Sequence, residues 1–252
     1  MHLLETKDLG ILFGGLQALN ELHMYVDSGE IVGLIGPNGA GKTTVFNLLT
    51  GVYTPSGGAI RLEGNSIIGQ KPYQINRTGI ARTFQNIRLF KYMTVADNIK
   101  VAMQQNMKYN VVSAIFRLPS YWKEERKVDA QARELLKIFD MEDTADQMAA
   151  NLPYGQQRKL EILRALASRP KLLLLDEPAA GMNPTETRDL MEIIRSIRDR
   201  FNLAILLIEH DMSLVMNVCE RLYVLDYGTL IAEGTPEEIR KNQRVITAYL
   251  GS

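Results

Sequence analysis

A glycine-rich turn between a short apolar run and a helix-forming run is the feature that most constrains the fold. The turn and the start of the helix read GPNGAGKTT over residues 36–44. Glycines let the backbone curl so that its N–H groups point inward at phosphate oxygens, and the following helix adds the positive end of its dipole. Lys42 is placed to reach the β- and γ-phosphates, and the Thr43 hydroxyl to ligate Mg²⁺. We therefore predict a nucleotide site formed by Gly36, Pro37, Asn38, Gly39, Ala40, Gly41, Lys42, Thr43 and Thr44.

Composition limits the class of protein and its compartment. The 252 residues suit one large domain or a core with a subdomain, and the balance of 29 basic and 29 acidic residues gives no global argument for nucleic-acid binding. The one cysteine, Cys219, excludes an internal disulfide and suits a reducing cytosol. The N-terminus lacks the pattern of a secretory signal, and the longest apolar runs are too short to span a bilayer. We expect any membrane association to go through a partner.

The hydrophobic pattern predicts an alternation of strands and helices interrupted by a helical insertion at about residues 90–168. Capping patterns begin the helices after Thr94, Asn183 and Thr235. Residues 106–119 are predicted to be a weakly patterned connection. The predicted strands are the apolar run just before the phosphate loop and residues 3–9, 20–26, 59–63, 80–84, 172–176, 203–208, 223–225 and 230–232. The predicted helices are residues 43–50, 72–77, 94–105, 121–139, 154–167, 184–201, one after residue 235 and a last short one to residue 250.

Two carboxylates follow a fully apolar run, which reads LLLLDEP over residues 172–178. An apolar strand of this kind is typical of a parallel sheet covered on both faces, and such sheets place their sites at the carboxyl ends of the strands. Asp176 therefore suits a Mg²⁺ role through water, and Glu177 suits a general base that orients the attacking water.

Three more residues lie at turns where the residues alone leave their roles open. Phe13 precedes two glycines, where it either stacks on a base or makes a plain hydrophobic contact. Gln85 follows a predicted strand, and a glutamine in that position is most often a solvated loop residue. His210 follows another strand, where it either contacts the γ-phosphate or caps the next helix.

Five motifs, in this order along nearly the whole chain, resemble those of the nucleotide-binding subunits of ABC transporters. They are residues 36–43, Gln85, residues 152–156, Asp176 with Glu177, and His210. The resemblance implies ATP and Mg²⁺ as ligands, with Thr43, Gln85 and Asp176 at the metal. It also implies that Phe13 stacks on adenine, that Gln85 links the γ-phosphate to a membrane subunit, that Glu177 is the base and that His210 holds the γ-phosphate and water. Gly155 and Gln156 belong to the signature that completes the site of a second ATPase.

The implied fold is the α/β fold of ABC ATPases, a branch of the P-loop NTPases, in a single domain spanning residues 1–252. Residues 1–88 and 169–252 would form a RecA-like core with a mostly parallel sheet and an antiparallel β subdomain. Residues from about 89 to 168 would form an inserted helical subdomain that carries the signature.

A narrower resemblance is to the larger ATPase subunit of branched-chain amino acid importers. It rests on FGG at residues 13–15, ARTFQ at 81–85, DEPAAGMNP at 176–184 and IAEGTP at 231–236. It implies a unit of two different ATPases (a homodimer is the alternative), two transmembrane permease subunits and an extracytoplasmic solute-binding protein, with no nucleic acid. The chain would then lie on the cytoplasmic face of the plasma membrane, held there by the permeases.

Two positions depart from the family pattern. The family signature is LSGGQ, whereas residues 152–156 read LPYGQ. Pro153 has neither the hydroxyl nor the N–H that the family's serine offers to a γ-phosphate across the dimer, whereas Gly155 keeps its N–H. We therefore predict that the site holding Lys42 hydrolyses ATP better than the opposite site. The second departure is Asn183, where most of the family has aspartate, which affects communication across the dimer.

Other classes of protein fit less well. A soluble ABC ATPase acting on nucleic acid would resemble a long coiled-coil protein or a duplicated cassette, and one of iron–sulfur assembly is disfavoured only by resemblance around Gln85 and Asn183. A scaffold that binds ATP without hydrolysing it has no support, because Glu177, Gln85 and His210 are all present. Kinases and GTPases would have no use for the segment at residues 152–156.

Overall fold

A computed structural model describes residues 2–104 and 119–250 of the chain. The chain divides into two compact units, the first made of Met1–Gln85 and Lys171–Ser252 and the second of Asn86–Pro170. Most of the connection predicted at residues 106–119 lies outside the described residues, as does residue 105, the predicted end of a helix.

The first unit holds all the strands that the structure describes. They are β1 (Leu4–Phe13), β2 (Leu16–Val26), β3 (Ile31–Ile35), β4 (Gly57–Leu62), β5 (Asn65–Ser66), β6 (Ile80–Arg82), β7 (Leu172–Asp176), β8 (Ala204–Ile208), β9 (Arg221–Asp226) and β10 (Thr229–Gly234).

Helices occur in both units. They are α1 (Lys42–Leu49), α2 (Pro72–Thr78), α3 (Val95–Met103), α4 (Pro119–Lys137), α5 (Tyr154–Ala167), α6 (Pro184–Phe201), α7 (Met212–Val218), α8 (Pro236–Lys241) and α9 (Gln243–Leu250). Two short 3₁₀ helices lie at Glu142–Thr144 and Ala149–Asn151.

A six-stranded sheet with the order β10-β9-β3-β8-β7-β6 forms the centre of the first unit. All of its neighbouring strands run parallel except β10, which pairs antiparallel with β9. Every residue of β3, β7 and β8 is buried, as expected of parallel strands covered on both faces. In this order the carboxyl ends of β3, β8 and β7 lie side by side, and the loops that leave them carry the predicted phosphate loop, His210 and Glu177.

A second sheet, with the order β2-β1-β4-β5, is antiparallel. Leu22, Met24 and Val26 are buried on one face of β2, which confirms the predicted alternation. Strands β1 and β2 are longer than predicted and meet at a two-residue turn. Gly14 and Gly15 have φ values of 53° and 92°, the backbone that tight hairpins of this kind need. The alternation fades between the predicted segments because register shifts interrupt the β1–β2 pairing.

The second unit is helical in its described part. Thr94 caps α3 by accepting a hydrogen bond from Asp97 N at 3.0 Å, as predicted. Helix α4 buries Val128, Ala132 and Leu136 on one face, which confirms the predicted apolar spacing. It ends at Lys137, two residues earlier than predicted, and Phe139 is buried in the turn that follows. None of the helices in the described ranges is long and apolar enough to cross a membrane.

Candidate active site

The predicted phosphate loop joins the end of β3 at Ile35 to the start of α1 at Lys42. Gly36 has φ 149°, and a Cβ added there would lie 2.0 Å from the carbonyl oxygen of Leu225, so this position accepts only glycine. Gly41 precedes the helix with φ 105° and no side chain caps the first turn. The N–H groups at the start of α1 are thus free of a side-chain cap, as an anion-binding helix start requires.

Lys42 is buried, with its ammonium folded back onto the loop. Its Nζ donates to the carbonyl oxygens of Gly36 at 2.6 Å and Pro37 at 2.8 Å. Burial lowers the pKa of Lys42, and the nearby charges of Glu177 and Asp176 act in the opposite direction. Two backbone carbonyls and two carboxylates thus favour the protonated form of a partly desolvated amine. A phosphate group of a nucleotide could replace these carbonyls as its partner.

Asp176 ends β7 with a side chain that is only 5% exposed, and its Oδ2 pairs with Arg82 Nη2 at 2.7 Å. Its backbone N–H donates to Thr83 Oγ1 at 3.3 Å. The predicted Mg²⁺ ligands, Asp176, Thr43 and Gln85, offer carboxylate, hydroxyl and amide oxygens, the hard donors that Mg²⁺ prefers. The described residues hold no cluster of three or more His, Cys, Asp or Glu suited to a metal.

Glu177 is the centre of a hydrogen-bonded cluster. Gln85 Nε2 donates to its Oε2 at 2.8 Å, and His210 Nε2 lies 2.8 Å from its Oε1. Glu177 has φ 47°, in the left-handed region that non-glycine residues seldom adopt, and its N–H donates to Ile208 O at 2.9 Å. The turn after β7 therefore aims this carboxylate toward residues that follow β6 and β8.

The structure narrows the open alternatives for His210 and Gln85. The side chain that caps α7 is Asp211, which accepts from Ser213 N at 2.8 Å, so His210 is not the cap. Strand β6 ends at Arg82, two residues before the predicted end, and Gln85 lies in the loop beyond it. Its side chain nevertheless bonds Glu177, so this glutamine is not simply a solvated loop residue.

Phe13 lies at the tip of the β1–β2 hairpin and is 42% exposed. Its ring meets that of Tyr53 edge to face, with an interplanar angle of 72° and a centroid distance of 5.2 Å. A plain hydrophobic contact is therefore present, while much of the ring remains accessible to a flat partner. Both predicted alternatives for Phe13 are compatible with this arrangement.

The signature segment lies in the second unit, at the start of α5. Pro153 occupies the cap position without a side-chain hydrogen bond, and the helix begins at Tyr154. Leu152 and Gly155 are buried, whereas Tyr154 is 47% exposed. Gln157 Nε2 donates to Leu152 O at 2.8 Å, which ties the loop before the helix to its first turn.

Sequence reasoning missed Arg82 and Glu209, which support the predicted residues. Glu209 is buried at the end of β8, and its carboxylate accepts from Ala179 N at 2.7 Å and His210 N at 2.9 Å. Burial raises the pKa of Glu209, and its backbone hydrogen bonds oppose that rise. The available signal was a charged residue in or beside a strand predicted to be buried, a placement that demands a partner.

Comparison with known proteins places this geometry in a family. Residues 19–180 match the model of the ABC transporter family, and residues 229–252 match that of the branched-chain amino acid ATP-binding cassette transporter. The chain is 47% identical to the high-affinity branched-chain amino acid transport ATP-binding protein BraF of Pseudomonas aeruginosa and 48% identical to LivG of Escherichia coli K12. Each match covers 99% of this chain and 98% of the relative.

Solved structures agree with the sequence comparisons. A nucleotide-free ATP-binding cassette from an ABC transporter and an ADP-bound conformation of such a cassette each superpose with a TM-score of 0.86. Both are 30% identical to this chain, and each match covers 100% of both chains. These findings confirm the predicted ABC ATPase fold. The chain therefore belongs to the ABC transporter family and is a nucleotide-binding ATPase of that family.

Proposed function

We propose that this chain is an ATP-binding subunit of an importer of branched-chain or other hydrophobic amino acids. The observation that carries the proposal is the similarity to BraF and LivG over 99% of the chain, together with the match of residues 229–252 to the branched-chain transporter model. The proposed complex has a second ATPase, two permeases and an extracytoplasmic binding protein. In this complex the chain lies at the cytoplasmic face of the plasma membrane.

Nucleotide binding is assigned to the first unit. The N–H groups at the start of α1 and the Lys42 ammonium hold the phosphates, and the exposed ring of Phe13 stacks on the adenine. The Thr43 hydroxyl, the Asp176 carboxylate and the Gln85 amide oxygen are the proposed Mg²⁺ ligands. When bound, Mg²⁺ supplies charge neutralisation at the β- and γ-phosphates.

Glu177 is the proposed general base of hydrolysis. Gln85 and His210 each engage one of its oxygens, and each oxygen keeps a further lone pair with which the carboxylate can accept a proton from water. Release of Oε2 by Gln85 would free the amide for its proposed contacts with Mg²⁺ and the γ-phosphate. His210 would stay bonded to Oε1 and keep the carboxylate oriented.

The second unit is proposed to act on a neighbouring ATPase. The N–H groups at the start of α5, including that of Gly155, and the side chain of Gln156 would face the γ-phosphate bound by the partner. Pro153 contributes neither N–H nor hydroxyl to that contact. ATP binding would close the two ATPases head to tail, and hydrolysis would reopen them and drive uptake through the permeases.

The alternative is an ABC ATPase with soluble partners, active in iron–sulfur assembly or on nucleic acid. To decide between them, the chain is tagged in its native host, the membranes are gently solubilised and the co-purifying proteins are identified. Two multi-span proteins and a second cassette are expected. Soluble partners alone would contradict the importer.

A transport assay then tests the solute class. Vesicles containing the purified complex and its binding protein should take up radiolabelled leucine, isoleucine or valine when supplied with ATP inside. Glu177→Gln should reduce uptake at least about tenfold, whereas Glu192→Gln, at an exposed position of α6, should not. Uptake of none of the three, with ATP hydrolysis intact, would limit the proposal to an importer of another solute.

A further inference from the structure

Arg82 contacts residues of the proposed nucleotide site but has no role in the chemistry proposed above. Its Nη2 donates to Asp176 Oδ2 at 2.7 Å, and its Nη1 donates to Asn47 Oδ1 at 2.7 Å. The side chains of Arg82 and Asp176 are only 7% and 5% exposed. One guanidinium therefore bridges the end of β7 to α1, the helix that begins with Lys42.

Two aromatic rings fix this guanidinium. Its central carbon lies 5.4 Å from the ring centroid of Phe46 on α1 and 5.2 Å from that of Phe84 in the loop after β6. Aromatic neighbours attract the cation and exclude water, and a planar guanidinium can contact rings while its N–H groups bond in two directions. A lysine ammonium has the charge but not this fork.

The strand pairing determines where Arg82 reaches. Strands β6 and β7 are parallel, and Arg82 lies opposite Leu174 in the register. Asp176 is two residues further along β7, so its side chain is on the same face as that of Leu174, one step nearer the loops. Arg82 thus extends toward the carboxyl end of β7, where its guanidinium bonds one oxygen of the Asp176 carboxylate.

We propose that Arg82 is a positioning residue for ATP hydrolysis. By holding Asp176 Oδ2, it leaves Oδ1 as the oxygen that engages Mg²⁺ or its bound water, and its bond to Asn47 fixes that oxygen relative to the phosphate-loop helix. This inference rests on the proposed role of Asp176 at the metal. Partners of metal-binding groups typically orient them in this way.

A role in stability alone accounts less well for the same contacts. Enclosed ion pairs contribute little net stability because desolvation offsets their attraction. Among the described residues, Arg82 Nε has no hydrogen-bond partner, and an enclosed donor without a partner lowers stability. The geometry therefore points to orientation of Asp176 as the function of the pair.

The test separates nucleotide binding from its Mg²⁺ dependence. Arg82→Lys keeps the charge but cannot bond Asp176 and Asn47 together. We expect the Mg²⁺ concentration for half-maximal ATP hydrolysis by the full chain to rise about tenfold. Equilibrium titration with fluorescent ADP should show the same loss of Mg²⁺-dependent affinity, while ADP binding in EDTA stays within about twofold of wild type.

Two further variants keep the test decisive. Asn47→Ala removes the other end of the bridge and should shift the Mg²⁺ dependence in the same direction by a smaller factor. Arg221→Lys is the matched control, because Arg221 also bonds a carboxylate, that of Glu30, and lies over two rings, those of Tyr25 and Tyr223. It should leave the Mg²⁺ dependence unchanged.

Three results would overturn the inference. One is a wild-type Mg²⁺ dependence in both Arg82→Lys and Asn47→Ala. Another is an equal loss of ADP affinity with and without Mg²⁺, which would make Arg82 a structural support of the whole pocket. The third is the same shift in Arg221→Lys. Asp176→Asn tests the underlying role separately: an unchanged Mg²⁺ dependence there would remove Asp176 from the metal whatever Arg82 does.

Discussion

The two units of the chain carry their functional groups in different ways. In the first, side chains from the loops after β6, β7 and β8 meet in a bonded cluster around Glu177. In the second, the signature is a helix start whose cap position is a proline with no side-chain bond. We therefore propose that the first unit supplies a full set of groups to its own nucleotide site and that the second supplies a reduced set to a partner ATPase.

This contrast has a physical origin. A parallel sheet places successive strand ends next to one another, so residues far apart in sequence become neighbours with fixed directions. A helix start offers mainly backbone N–H groups, and a proline there removes one of them. We therefore expect the rate of ATP hydrolysis to differ between the two nucleotide sites of the complex. The following predictions test that expectation.

The largest effect is expected at Glu177. Glu177→Gln removes the only proposed proton acceptor while keeping a side chain of the same size, so the rate of ATP hydrolysis should fall about 10³-fold. ATP binding, measured by titration with a fluorescent analogue, should be retained. The exposed Glu192→Gln variant should hydrolyse at the wild-type rate. A loss of less than about tenfold would remove Glu177 from the role of base.

A smaller loss is expected at His210, which contacts Glu177 but accepts no proton in the proposed mechanism. His210→Ala should lower the hydrolysis rate about 10²-fold, because the carboxylate loses its contact at Oε1. His210→Gln retains a donor and should recover part of the loss. If both variants show the same rate as wild type, the histidine contact has no part in hydrolysis.

Unequal sites should appear when the bases of the two ATPases are changed one at a time. Glu177→Gln should reduce transport turnover about tenfold more than the matching change in the partner. The reason is that Pro153 cannot give the partner's site the charge-assisted hydrogen bond that a serine at this position would donate. Pro153→Ser should narrow the difference. Equal losses of turnover in the two single variants would contradict the asymmetry.

How much the sequence could predict differs between local and long-range features. The phosphate loop and the strand before Asp176 follow from local patterns, because glycine geometry and an uninterrupted apolar run each limit the backbone to few conformations. The roles of His210 and Gln85 stayed open because they depend on distances between strand ends. The family resemblance predicted that Glu177, His210 and Gln85 belong to one site. The structure added the hydrogen bonds that join His210 and Gln85 to Glu177.

Arg82 is a residue whose contacts no local sequence pattern predicts. Its partners, Asn47 and Asp176, lie 35 and 94 positions away in the sequence, and no local spacing connects them. The β1–β2 hairpin was predicted in part, because the glycine pair at residues 14 and 15 indicates a turn. The full length of both strands was not predicted, because the register shifts interrupt the alternation of apolar and polar residues.

The smallest predicted effect concerns Glu209, whose buried carboxylate supports the loops after β7 and β8, which carry Glu177 and His210. Burial raises the pKa of Glu209, so the folded state binds this proton more tightly than the unfolded state. Its stabilising contribution is then complete below the unfolded pKa of about 4.3 and is lost as the pH rises through the folded pKa. Glu209→Gln should therefore shrink, by about 2 °C, the fall in melting temperature that occurs as the pH rises above about 4.3. Calorimetry across that range checks this, with Glu192→Gln as the exposed control. An unchanged slope in Glu209→Gln would show that the site in the first unit does not depend on the protonation of this buried support.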